Sequence, residues 1–197
     1  TLQDIAASGS RAGDVIRRLR AMLKKEEAQR TPLDVNQLIN DVLQLYRSDL
    51  INRGVSVRFE LDHGLPAVLG DRVQLQQVLL NLVINACDAM SGLAGERKLC
   101  ICSRRLAGNE VEFAVCDIGP GIAPERLELV FEPFETTKDA GMGLGLSVCK
   151  TIVKSHGGSL LRTRGEGDST FSVFARATDA AEAALEAQAA LASERWP

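Results

Sequence analysis

What this sequence lacks narrows it first. No stretch approaches the roughly 20 apolar residues of a membrane-spanning helix, and the N-terminal segment has no short apolar core of the signal-peptide kind. Nothing in it therefore reads as a membrane contact. Long basic runs are also missing: 23 Lys and Arg against 26 Asp and Glu leave a net charge of −3, which argues against nucleic acid as a partner. The cysteines, Cys87, Cys100, Cys102, Cys116 and Cys149, are odd in number, follow no disulfide rhythm and sit inside apolar segments. They read as small core residues of a reduced, cytoplasmic protein. Cys100 and Cys102 share one face of an expected strand, but no second Cys or His pair lies at metal-ligand spacing, so a metal-thiolate centre is not expected.

What is present has the order of an α/β domain with helical attachments, for which 197 residues leave room. Ile5, Gly9, Ala12, Ile16, Leu19 and Leu23 recur at spacings of four and three, a heptad seam of nearly three repeats, although an amphipathic helix lying on its own domain has the same spacing. Thr31-Pro32 ends that segment. Asp34 or Asn36 then caps a helix whose apolar stripe is Leu38, Ile39, Val42, Leu43, Leu45 and Tyr46, ending at Arg53-Gly54. Val55, Val57, Phe59 and Leu61 alternate with polar residues, as in a strand with one solvated face, and Val68-Leu69 is a candidate short strand. Asp71 to about Met90 follows the helical period. Leu99, Ile101 and Ser103, then Val111, Phe113 and Val115, read as antiparallel strands around Ala107-Gly108-Asn109. A short helix is expected from Pro124 to Val130. From Phe131-Glu-Pro-Phe134 to residue 142 little is apolar, the pattern of a flap pinned by its phenylalanines. A helix from about Gly143 to His156, strands near 159 to 164 and 169 to 176, and an alanine-rich helical segment from Ala180 to Glu194 complete the chain.

The polar residues that interrupt this pattern cluster. Asn81, Asn85 and Asp88 fall on one face of a helix otherwise built for burial. They need partners, which a hydrated magnesium ion with phosphate oxygens would supply, although a solvated polar stripe has the same spacing. Asp117 closes the apolar run Val111 to Cys116 and precedes Gly119-Pro-Gly121. A carboxylate there suits an exocyclic amine such as that of adenine, with glycines letting the ring lie against the backbone, whereas a lone Asp-x-Gly is more often an ordinary turn. Gly141, Gly143 and Gly145, with Leu144 between the last two, would bring backbone N–H groups and the positive end of a helix to phosphates. No strand precedes them, which excludes a Rossmann site. Lys138, in the flap, is a candidate to meet a terminal phosphate, although a lone lysine in a polar loop is usually just solvated. Together these residues fit an ATP site.

In this order and spacing the stretches resemble the catalytic ATP-binding domain of sensor histidine kinases, in the GHKL superfamily that includes gyrase, heat-shock chaperone and mismatch-repair ATPases. Gln77-Val-Leu-Leu-Asn81-Leu-Val-Ile-Asn85-Ala looks like the N box, Asp117-Ile-Gly119-Pro-Gly121 the G1 box, Phe131-Glu-Pro-Phe134 the F box and Gly141-Met-Gly143-Leu-Gly145-Leu the G2 box. The resemblance covers residues 31 to 176.

The resemblance implies a Bergerat-type α/β (α+β) sandwich, a mixed sheet on one side and helices on the other, binding ATP and Mg2+. Asn85 would ligate Mg2+ with Asn81 and Asp88 beside it. Asp117 would hold the adenine amine, Gly119 and Gly121 would shape the base pocket, and Lys138 with Gly141, Gly143, Leu144 and Gly145 would hold phosphates. Thr170 sits where the family often has a small hydroxyl residue near adenine. Hydrolysing relatives carry a glutamate where Asn81 stands, and asparagine is a poor base, which favours transfer over hydrolysis. The partners implied are a response-regulator receiver domain and a histidine-bearing bundle helix, in a homodimeric parent that could be membrane-attached. Residues 1 to 30 look like the second helix of that bundle, its first helix being absent, and residues 177 to 197 like a C-terminal helix or linker. His63, in a turn, and His156, at a helix end, are not expected to be the phosphoacceptor. Rival readings are a nucleotide-gated ATPase, a nucleotide-sensing binding module and a kinase of serine residues.

Overall fold

The computed structural model describes residues 30–106, 110–126, 129–136, 143–164 and 169–176. The heptad segment, the alanine-rich segment and the turn at 107–109 lie outside that set. Of the two candidate caps Asp34 is the one used: its Oδ1 accepts from the N–H groups of Asn36 at 2.8 Å and Gln37 at 3.1 Å, starting helix α1, Val35–Asn52. Asn36 instead bonds the Asp62 carbonyl and the Ser103 hydroxyl, joining the helix to the sheet. Leu38, Ile39, Val42 and Leu43 are buried, but Leu45 is 82% exposed. It lies at the margin of the apolar arc, where α1 turns away from the core.

The short strand Thr31–Leu33 (β1) was hidden by its proline. It pairs antiparallel with Val68–Gly70 (β3), Pro32 opposite Leu69, so the residue read only as a helix stop also belongs to a two-stranded ladder. The main sheet contains β2 (Val55–Leu61), β4 (Arg97–Arg105), β5 (Glu110–Asp117), β6 (Ser159–Arg164) and β7 (Ser169–Arg176) in the order β2-β4-β5-β7-β6. β2 and β4 are parallel and every other pair is antiparallel, so the sheet is mixed, as expected. Parallel neighbours require a crossover, and helix α2 (Arg72–Ala89) lies in that connection. With α1 and α3 (Gly145–Ser155) it covers one face, where Leu79, Leu82, Val83, Val148 and Val153 meet Leu99, Ile101, Phe113 and Val115. These are the two layers of an α/β sandwich.

Two expectations need correction. Between β5 and α3 the chain forms 3-10 turns at Pro124–Arg126 and Leu129–Phe131 instead of one helix. A segment this short has no length over which α-helical bonds repay nucleation. The cysteines are not all core residues either. Cys87 and Cys149 are buried, but Cys100, Cys102 and Cys116 are half-exposed. Strand alternation explains it: Leu99, Ile101 and Val115 take the helix-covered face, so the residues between them point to the other.

Candidate functional site

Helix α2 carries the polar face that the sequence indicates. Asp71 caps it, accepting at Oδ1 from the Gln74 N–H at 3.0 Å. Asn81 is only 7% exposed, and among the described residues its buried Nδ2 donor has no hydrogen-bond acceptor. Native proteins rarely leave such a group unmatched, so this amide faces a place where an acceptor belongs. Asn85, one turn on, is half-exposed. Asp88 is engaged elsewhere: its Oδ1 lies 2.7 Å from Arg53 Nη1, which ties the last turn of α2 to the end of α1 and raises the guanidinium pKa further.

Two glycines bring the other clusters to this helix. Asp117, 3% exposed at the end of β5, accepts the Gly119 N–H at Oδ1 over 2.8 Å. A Cβ on Gly119 would lie 2.6 Å from that oxygen and 3.0 Å from the Ala89 Cβ, so only glycine lets the turn close against α2. Beyond it Gly121 has φ +76°, a conformation that glycine supplies without strain. At the other end, a Cβ on Gly145 would stand 3.7 Å from Asn85 Nδ2, placing the first turn of α3 beside that amide. Asn85 and Ala89 are i and i+4 on one face of α2, so the aspartate turn and the start of α3 flank a single strip of helix. Leu144, at the cap of α3, provides no side-chain acceptor for the first N–H groups, which leaves the positive helix end uncapped by its own residues.

The flap is held differently from expectation. Phe131 is half-buried against the core, with the Lys150 ammonium 5.5 Å from its ring centre. Phe134 is 73% exposed and serves through its backbone: at φ +69° it donates its N–H to the Gly143 carbonyl at 3.1 Å. No feature of the sequence marks this latch, because a non-glycine residue with positive φ has no compositional signature. Lys138 and Gly141 lie outside the described residues. Thr170 is placed by register alone, opposite Cys116 and one position from the Ser169 that faces Asp117.

Residues 70–179 match the family described as "Histidine kinase-, DNA gyrase B-, and HSP90-like ATPase". The chain is 36% identical over 179 residues to the sensor protein FixL of Bradyrhizobium diazoefficiens, an alignment covering 90% of this chain and 35% of FixL. It therefore spans about a third of that relative's length. The nucleotide-free catalytic domain of histidine kinase ThkA shares the fold at a TM-score of 0.68 and 34% identity, over 76% of this chain and 96% of that one. ThkA in complex with the response regulator protein TrrA matches at 0.71 and 28% identity, over 90% and 49%.

Proposed function

The chain belongs to the histidine kinase-, DNA gyrase B- and HSP90-like ATPase family, and from that premise we propose that it is the catalytic ATP-binding part of a sensor histidine kinase. The observation that carries this reading is the single strip of α2 from Asn85 to Ala89, flanked by the Asp117 turn and the uncapped start of α3. Adenine would lie at the turn, its exocyclic amine donating to Asp117, with Gly119 and Gly121 leaving room for the ring and Thr170 near it. The triphosphate would run towards Asn85. The N–H groups opening α3, after Gly143 and Leu144 and at Gly145, would meet phosphate oxygens, and Lys138 and Gly141, outside the described residues, are proposed as further phosphate ligands from the family resemblance alone.

Magnesium fits this donor set. Mg2+ is a hard cation that takes oxygen ligands, keeps several waters and leans on substrate phosphates, so a site offering a side-chain amide oxygen beside a phosphate-binding helix end suits it. The Asn85 amide oxygen would hold it, Asp88 lying a turn beyond. Bound there, Mg2+ would neutralise charge on the transferring phosphoryl group. The buried Asn81 Nδ2 would find its acceptor in a phosphate oxygen or an ordered water, and an amide at this position does not deprotonate water. The residues then bind, orient and shield the phosphate for transfer.

The acceptor is proposed to be a histidine on a bundle helix of a dimeric parent, with residues 1 to 30 as a neighbouring bundle helix, residues 177 to 197 as a C-terminal helix or linker, and the phosphate passing on to an aspartate of a response-regulator receiver domain. The ThkA complex with its response regulator supports a partner of that kind. Cytoplasmic placement of this part is included in the proposal; among the described residues no helix is long and apolar enough to cross a membrane. The test is calorimetry with a non-hydrolysable ATP analogue and Mg2+, then radiolabelled ATP with a histidine-bearing bundle supplied in trans. Uptake abolished by Asn85→Ala, with acid-labile label on the bundle and none on this chain, is the expected result. No uptake by folded protein would overturn the reading, and steady-state hydrolysis lost in Asn85→Ala would replace it with an ATPase.

A further inference from the structure

Three thiols lie together on the sheet face that the helices leave uncovered. In the antiparallel register of β4 and β5, Cys100 stands directly opposite Cys116 and Cys102 opposite Ala114, while the intervening Leu99, Ile101 and Val115 are buried on the far side. Cys100, Cys102 and Cys116 are each half-exposed, unlike the buried Cys87 and Cys149. Directly opposed residues of an antiparallel pair have Cα atoms about 4.5 to 5.5 Å apart, inside the roughly 4.4 to 6.8 Å that a disulfide spans. A diagonal pair such as Cys102 and Cys116 is about 7 to 8 Å apart, too far for a ready bridge. Cys102 serves Cys116 in another way: their side chains are hydrogen-bonded.

The bond to Cys116, and burial after it, push the Cys102 thiol well above its ordinary value, so Cys102 is a poor source of thiolate near neutral pH. A hollow of about 610 Å3 opens over Cys100 and Cys116, lined by Glu60 and Asp117 as well as Arg58 and Lys98, with Arg58 paired to Glu60 at 2.8 Å, so a small disulfide has access without a field of one sign.

We propose that Cys100 and Cys116, directly opposed across the ladder, form a reversible dithiol–disulfide site for small disulfides of the glutathione class. The thiolate of one of the two attacks one sulfur of the small disulfide, whose S–S bond breaks and releases one thiolate, leaving a mixed disulfide on that cysteine. The other cysteine, deprotonated, then attacks the protein sulfur of the mixed disulfide, and the second small thiolate leaves. The protein loses two electrons and two protons, and the reagent is reduced to two thiols. Asp117 also lines the hollow, so the thiol pair adjoins the proposed base pocket, although its chemistry does not depend on the nucleotide reading.

The experiment titrates the folded chain with mixtures of oxidised and reduced glutathione, quenches with acid, and maps disulfides by mass spectrometry. The expected product is two hydrogens lighter, links Cys100 to Cys116, leaves Cys87 and Cys149 as thiols and reverts under excess reduced glutathione. Cys100→Ser should stop at glutathione on Cys116. Cys116→Ser should stop at glutathione on Cys100, and Cys102→Ser should keep the bridge; circular dichroism checks that each variant is folded. Absence of the lighter species at every ratio, a bridge through Cys102, or a bridge persisting in Cys100→Ser would overturn the proposal.

Discussion

His156 accepts the backbone N–H of Asp71 at its Nε2, 2.9 Å away, while its Nδ1 lies 2.8 Å from the Ile152 carbonyl oxygen. An imidazole that accepts at Nε2 carries its proton on Nδ1 and donates it to that carbonyl. One buried ring therefore joins the residue that caps the start of α2 to the last turn of α3. Its neighbour Gly70 leaves no space to spare, since a Cβ there would stand 3.2 Å from the His156 ring and 2.7 Å from Leu75.

A structural histidine of this kind gives the first prediction. His156→Phe removes both ring partners while keeping bulk, so it should cost about 1 to 3 kcal/mol, the range for stranding a buried polar group. A lowered urea midpoint with an unchanged denaturant slope would show it. Unchanged stability would mean that the helix ends do not depend on the ring.

Two glycines that share positive φ separate backbone strain from contact. Gly157, at φ +72°, ends α3: its N–H bonds the Lys154 carbonyl, that of Gly158 bonds the Val153 carbonyl, and a Cβ would meet nothing within 4 Å. Gly157→Ala should cost about 1 kcal/mol and leave nucleotide affinity alone. Gly143, at φ +64°, would drive a Cβ to 2.5 Å from the Phe134 carbonyl carbon and 2.6 Å from the Glu135 nitrogen. Gly143→Ala should break the latch at the root of the flap and weaken a non-hydrolysable ATP analogue by about tenfold or more, equal to about 1.4 kcal/mol. Equal calorimetric affinities for the two variants would refute the latch.

Asp117→Asn tests the adenine contact without removing the turn, because the amide oxygen can still accept the Gly119 N–H. The amide nitrogen, however, presents donors where the exocyclic amine also donates. A hydrogen bond to a charged group contributes about 1.5 to 3 kcal/mol, so affinity should fall by about 10- to 150-fold. Retained affinity in calorimetry would remove Asp117 from the base pocket.

The layers of this fold were legible because periodicity reports burial. Alternation located β2, β4 and β5, and the 3.6-residue period located α1 and α2, since each element buries one face. What could not be read was set by tertiary contact. The three-residue β1 exists because β3 is there to pair with it. Leu45 and Val73 fit their helical stripes and yet are 82% and 72% exposed, because apolar type does not say where the covering layer stops. In the site, Asn81, Asn85 and Asp117 stood out as polar groups inside apolar elements. The ion pair that takes Asp88 to Arg53 depends on the approach of α1 to α2, which local spacing does not encode.

Alkaline pH gives the last prediction. Burial pushes up the Cys87 thiol and the Tyr46 hydroxyl, and the bond to Cys116, followed by burial, pushes up Cys102. These groups are neutral when protonated, so the folded protein keeps protons that the unfolded chain releases. Above the ordinary thiol value of 9.0 the unfolded state therefore binds fewer protons, and stability falls as pH rises. It should be fully present below about pH 9 and lost progressively above it, as the pH approaches the raised folded values. Urea midpoints across that range should decline, and Cys87→Ala should show a shallower decline whatever its stability near neutrality. A midpoint that stays level or rises above about pH 9 would show that these groups ionise as readily in the folded protein as in the unfolded chain.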